Sequence, residues 1–354
     1  MEKQLNKKKS ELHLIDFNQW LQLPLNESIE KIINTADLND LLLNIGEELQ
    51  EKYIGNIDKR LKSAFSLKDN KSSKEIHLTL YYLYNLQICD PLLTQSYNQH
   101  NYFLYKIRQK IESYWLDSLK IDFISHTFES TEKVSQSIIS LCEKNRLSNH
   151  PLFEFLAKDA NKKQLYTFFQ SDYDLNIRFF DLLVLALINS PSSARKEMIK
   201  NLWDESGRGN NSETHVNMFN DLIENLSIEN KEQIRVHDSW QKAAGYNLFM
   251  FAALNRQHYF FLLGIMAATE IIDPQSYLKV IEACKRHNID ERLYRYYTEH
   301  ADIDVEHAKG WLTYVIEPLV EKIDVKQSIL MGAYHRLKTC KDYYDSLYEH
   351  LKTI

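Results

Sequence analysis

Glycine and proline are scarce, at 8 and 6 in 354 residues. Few positions therefore need left-handed or ring-locked backbone angles. With abundant Leu, Lys, Glu and Gln, this points to an all-α protein. Cysteine is scarce too. Cys89, Cys142, Cys284 and Cys340 are scattered, with neither metal-ligand spacing nor a disulfide framework. Free thiols in a reducing cytoplasm are the expectation, and the nearness of Cys284 to His287 reads as incidental. Long apolar runs are missing. The longest, Tyr259 to Ala268, is far short of the ~18 residues that span a bilayer. The first thirty or so residues are polar and lack the apolar core of a signal peptide, so a cytoplasmic protein with no membrane partner is expected. Excess positive charge is absent as well: 43 − 49 gives a net charge of −6, which disfavours nucleic acid as a partner. The run Lys7-Lys8-Lys9 reads as a solvated terminus.

Hydrophobic content of 44% is ample for a buried core, and the length suggests about two domains. Residues 1–60 alternate short helical patterns with polar breaks, such as the loop at Leu23-Pro24-Leu25-Asn26. Lys68 to Lys74 reads as a polar linker. From Glu75 to about Lys120 come aromatic-rich helices carrying Tyr81, Tyr82, Tyr84, Tyr102, Phe103, Tyr105, Tyr114 and Trp115. A tyrosine-rich stripe at helical spacing belongs to a core or a subunit interface. Residues 1–145 are thus read as a helical accessory domain, with homodimerisation its expected role, and 146–354 as the functional domain.

In the second half, Asn149-His150-Pro151 opens a helix to about Asp159. Lys163 to Asn189 reads as one long apolar helix. The serines around Pro191 are expected to cap the next helix, Ala194 to Glu205. Gly207-Arg208-Gly209-Asn210-Asn211 is a break, after which helix resumes from about Ser212 to Leu226. Another long helix is expected from about Asp238 to Ile271, with Asp273-Pro274 starting a new one. Helices from Asp290 to about Val320, interrupted near Pro318, and from Val325 onward complete the pattern. No repeat or strand is evident.

Three side chains on the helix after Asp290 attract attention. His300, Asp304 and His307 stand at i, i+4 and i+7, which places them within about 60° of one another on one face. Imidazole plus carboxylate is a donor set that non-haem iron uses. The competing reading is a solvated polar face. Glu270 ends the apolar stretch that begins at Phe260, where an unpaired carboxylate is costly to bury. A cation would relieve that cost; a position just outside the core would also. Glu205 and His215 flank the glycine break. On a straight helix they would be about 15 Å apart, too far to share one small cluster. An unwound segment at 207–211 can shorten that separation; an ordinary interhelical loop with an incidental Glu and His is the alternative.

The stretch Asn201-Leu202-Trp203-Asp204-Glu205-Ser206-Gly207-Arg208-Gly209, followed by His215, resembles the Asn-Leu-x-x-Glu-x-Gly-x-Gly…His stretch of the haem-oxygenase-like diiron oxidases and oxygenases, the iron-containing redox enzymes. Glu270 and then His300, Asp304 and His307 are similar to the rest of that family's ligands, in order and spacing. Asn149-His150-Pro151-Leu152-Phe153 resembles the family's domain start, and the likeness covers about 150–345. The resemblance implies a haem-oxygenase-like bundle of seven helices that binds two Fe(II) ions and no haem. Glu205, His215, Glu270, His300, Asp304 and His307 would be ligands. The family has one more carboxylate on its first long core helix. Here no glutamate occurs between Gln164 and Asn189, and the candidates are Asp172, Asp174 and Asp181. Asp172, in Ser171-Asp172-Tyr173, matches the family's local pattern best, although an aspartate reaches less far by one methylene.

The activity so implied is O2-dependent oxidation of a small amine, amino acid or carboxylate, by N-oxygenation or oxidative C–C cleavage, with O2 as co-substrate and an external electron donor. Arg178 and Arg208 are candidates to bind a substrate carboxylate, with plain surface charge the simpler role for each. The Phe and Tyr side chains of the 166–180 helix read as core rather than tunnel lining. The alternative is a metal-free or catalytically degenerate protein of the same fold, acting as a ligand-binding or interaction module.

Overall fold

The computed structural model describes residues 14–124, 132–230 and 239–354. Lys7–Lys9 and the expected helix start at Asp238 lie outside them. The chain divides into two compact units, Met1–Ser125 and His126–Ile354. The division falls earlier than the 145/146 boundary read from sequence, because the helix Val134–Asn145 packs inside the second unit. Among the described residues there is no strand, and no helix is long and apolar enough to cross a membrane.

The first unit is built on α1 (Leu25–Ile33), α2 (Leu38–Leu61), α3 (Asn70–Asn85) and α4 (Tyr102–Ile124). The polar stretch read as a linker is a helix start: Asp69 accepts the Ser72 backbone N–H at 2.8 Å, and α3 follows at once. The aromatic stripe splits in two. Tyr84, Phe103 and Trp115 are buried, whereas Tyr102, Tyr105 and Tyr114 are exposed.

The second unit comprises α5 (Val134–Asn145), α6 (Pro151–Lys158), α7 (Lys162–Asn176), α8 (Phe179–Leu187), α9 (Ser192–Glu205), α10 (His215–Asn230), α11 (Trp240–Leu254), α12 (Tyr259–Arg286), α13 (Arg295–Gly310) and α14 (Lys326–Lys352). A π-helical stretch, Trp311–Ile316, and one turn, Glu317–Val320, join the last two. Helix α12 is the axis. It packs along α13 and α14, and α6 and α5 lie against it. Two glycines let the backbones of α12 and α14 meet. A Cβ on Gly264 would lie 1.9 Å from the Ile329 carbonyl oxygen, and one on Gly332 would lie 2.0 Å from that of Phe261.

Several boundaries differ from the sequence reading. The expected helix over 163–189 is two, α7 and α8, parted at Ile177-Arg178. Its start is fixed by a capping box between Asn161 and Gln164. No serine caps α9; Pro191 takes that position without a side-chain bond. The expected helix ending at Ile271 is interrupted at 255–258 and then runs through Pro274 without stopping. Proline removes the N–H that would serve the Glu270 carbonyl. The next carbonyls of α12 accept from hydroxyls as well, Ile272 from Ser148 and Asp273 from Ser276, each at 2.8 Å. Burial pushes the Cys284 thiol up to about 12, and His287 faces the Ala160 carbonyl at 2.9 Å, so the two are not a reactive pair.

Candidate metal centre

Helix α9 delivers Glu205 on its last turn. The chain then reverses through Gly207, Arg208 and Gly209, all with positive φ, at 66°, 52° and 89°. Glycine is needed at 207 for a second reason: a Cβ there would lie 2.5 Å from the Glu213 carbonyl carbon. This reversal makes His215 the first residue of α10 and brings its Nδ1 to 2.9 Å from Glu205 Oε1. The separation expected for a straight helix is abolished by the break.

Helix α13 faces this loop and α12 at once. Its buried side carries His300, Asp304 and His307, as the spacing implied. His300 Nε2 lies 3.7 Å from Glu205 Oε1, and its ring centroid is 4.2 Å from that of His215. About two turns further on, His307 Nδ1 lies 3.6 Å from Asp304 and 3.7 Å from Glu270, the latter on α12. Six buried side chains thus form two triplets, Glu205–His215–His300 and Glu270–Asp304–His307, each with donor atoms within 4.8 Å of one another.

The donor set suits a cation. Both ring nitrogens of His215 are buried, and neither makes a hydrogen bond among the described residues. Glu205 Oε1 stands 2.9 Å from Nδ1, and Glu299 is 3.6 Å from Nε2. His300 and His307 are each gripped from behind. His300 Nδ1–H donates to the Tyr296 carbonyl at 2.8 Å, and His307 Nε2–H donates to Asp204 at 3.0 Å. Such bonds fix the tautomer and leave the opposite nitrogen for a metal.

Residues 167–340 match the family model described as iron-containing redox enzyme. The second unit belongs to that family. No curated protein matches the chain. The all-α, haem-oxygenase-like bundle expected from the sequence is therefore present, and iron is the metal that family membership associates with it.

Without a cation, an iron-containing redox enzyme of this geometry must balance its site with protons. Burial lowers the basicity of His215, but the charge of Glu205 outweighs it and raises the pKa to about 9. Burial would raise Glu205, but His215 and His300 hold it at about 2. His307 is pulled down by burial and carried up to about 11 by Asp304, Glu270 and Asp204. Burial, then the charge of Asp304, raises Glu270 to about 7. Buried carboxylates and imidazoles held in this tension are what a divalent ion would relieve.

Asp172 belongs to neither triplet. It borders a cavity of about 40 Å³ that is also lined by Glu270, Asp273, His300, Asp304 and Arg336, and it accepts a 2.9 Å bond from Asn176. Asp174 instead pairs with Lys242 at 2.8 Å, and Asp181 with Arg178 at 3.2 Å. Of the three aspartates, only Asp172 lines that cavity. Arg208 is tied to Asp204 at 2.7 Å. Neither Arg178 nor Arg208 borders the cavity; Arg336 does. Phe168 and Phe179 also line it, whereas Tyr166 and Phe169 are core, so the aromatic residues of 166–180 divide between the two roles.

Sequence reasoning missed Asp204, Glu299, Asp273 and Arg336. Glu299 lies 3.6 Å from His215 Nε2. Burial raises Asp273 to about 8. Two signals were available: the acid next to Glu205, and an arginine inside the apolar stripe of the last helix.

Proposed function

We propose that the second unit is a non-haem diiron oxidase or oxygenase, in which Glu205, His215 and His300 hold one Fe(II) and Glu270, Asp304 and His307 the other. The observation that carries this reading is the pair of buried carboxylate–imidazole triplets served by a single helix, α13. Asp172 is the remaining carboxylate at the cavity and would complete the set from α7. Ferrous iron held by these residues would supply the electrons for a reaction with O2.

The protein's own part is to position and to shield. Asp204 and the Tyr296 carbonyl set the rings of His307 and His300. Tyr277, Tyr296 and Tyr344 border the cavity and limit water at its wall. The small volume suits a small amine, amino acid or carboxylate, oxidised by N-oxygenation or C–C cleavage, with an external donor supplying further electrons. A dimer formed through the first unit is part of the same proposal.

Oxygen uptake tests the reading. Metal-stripped protein is given Fe(II) anaerobically and then exposed to O2 in an electrode cell. Uptake above that of free Fe(II), absent from His300→Ala, is expected. Equal uptake by wild type and variant would overturn the reading in favour of a degenerate or ligand-binding protein.

A further inference from the structure

Arg336, on α14, is 6% exposed. Its Nε–H donates to Thr269 Oγ1 at 2.9 Å, and its guanidinium carbon stands 5.1 Å from the centre of the Phe249 ring. Those contacts hold one edge and one face of the group. The charges of Asp273 and Asp172 act on it, but among the described residues neither carboxylate is within ion-pair distance of its terminal nitrogens. Asp273 borders the same cavity, and its carboxyl likewise has no bonded partner among them. Nearby carboxylates that offset the charge of a buried guanidinium without bonding to it leave its hydrogen-bonding fork unused. A cation clamped by Thr269 and Phe249 and left open on its terminal nitrogens has the form of an anion receptor.

Arg336 also has a particular position. It borders the cavity of Glu270, His300 and Asp304, and it borders a second cavity of about 40 Å³ beside Lys242. The two share Asp172, Leu175, Arg336 and Tyr344. A group held on Arg336 therefore sits next to the triplets and has room on either side. Lys242 is already paired with Asp174, so Arg336 is the cation left open there among the described residues. One guanidinium fork and two small cavities suit a carboxylate; a phosphate dianion would need more cations and more room.

We propose that Arg336 is the anchor for a carboxylate of the small-molecule substrate. That this ligand is the substrate rests on the diiron reading; the binding itself does not.

The test is ligand binding by the full-length protein. Propionate, L-alanine and ethylamine are titrated and followed by saturation-transfer NMR, on metal-stripped protein and after Zn(II) addition. Bound metal is counted separately on the same samples. The two carboxylates should bind wild type and ethylamine should not. Arg336→Gln should weaken both at least tenfold, with Arg336→Lys recovering part of the loss. Thr269→Val leaves the guanidinium in place but unclamped, and should weaken propionate several-fold even if Arg336→Gln fails to fold. Propionate binding equally to wild type and a folded Arg336→Gln, or equally to wild type and Thr269→Val, would overturn the proposal. So would a wild type that binds neither carboxylate in either sample. A missing metal count would count against the diiron reading and leave an Arg336-dependent carboxylate site standing.

Discussion

Asp204 Oδ2 lies 3.0 Å from His307 Nε2, on the side of the ring turned away from Glu270 and Asp304. Its chain neighbour Glu205 faces His215 and His300. Two consecutive acids at the end of α9 thus serve different triplets. Asp204→Asn keeps the shape but removes the charge behind His307. Loss of such an outer partner costs about 10–100-fold in metal affinity. Calorimetric titration should show one weakened site and one unchanged; two unchanged sites would contradict the role given to Asp204.

The reversal at 207–209 makes a second prediction. Gly207→Ala must carry a side chain at positive φ and into the Glu213–Thr214 backbone. Backbone strain alone is worth about 1–3 kcal/mol. The variant should bind one metal fewer, because His215 can no longer return to Glu205, and a drop in melting temperature should accompany it. Full metal content in Gly207→Ala would show that the loop does not place His215.

Gly264 and Gly332 allow the backbone contact between α12 and α14. Gly264→Ala must push those helices apart, and overpacking costs about 1–3 kcal/mol, with more where backbone is the obstacle. Urea denaturation should show the midpoint falling with little change in slope. Gly55→Ala, where a Cβ meets nothing within 4 Å, is the control.

The first unit has a built-in acid sensitivity. His77 lies between Phe65 and Trp115, with ring centroids 5.9 and 5.1 Å away, and burial lowers its pKa to about 3. Unfolded, the imidazole titrates near 6.5. Between these values the unfolded chain takes up a proton that the folded one excludes. Stability from this group is therefore full above pH 6.5 and declines as pH falls toward 3, by about 1.4 kcal/mol per pH unit. Hydrogen exchange of α3 in the full chain should accelerate between pH 6.5 and 5 beyond the intrinsic trend, and should do so less in His77→Phe. Identical pH trends in the two proteins would contradict this.

What could be read from sequence followed from local geometry. His300, Asp304 and His307 share a helix, so periodicity alone put them on one face. The meeting of Glu205 with His215 was conditional on how far the glycine segment unwinds, which positive φ at three successive residues decides. The interruption at Ile177-Arg178 was not legible, because the apolar pattern continues across it, whereas the polar run Asn255-Arg256-Gln257-His258 was the signal for the second. Pro274 misled in the opposite sense: α12 runs through it and forgoes one backbone hydrogen bond, that to the Glu270 carbonyl. Arg336 was visible as an arginine inside the apolar stripe of the last helix, but its place at the cavity depends on helices distant in sequence.

Metal stoichiometry decides whether the two triplets hold two irons. Metal-stripped protein is saturated anaerobically with Fe(II), freed of excess and assayed for iron, alongside His215→Ala and His307→Ala. Two irons per chain are expected in the wild type and about one in each variant. One iron or none in the wild type, or two in both variants, would contradict the diiron reading.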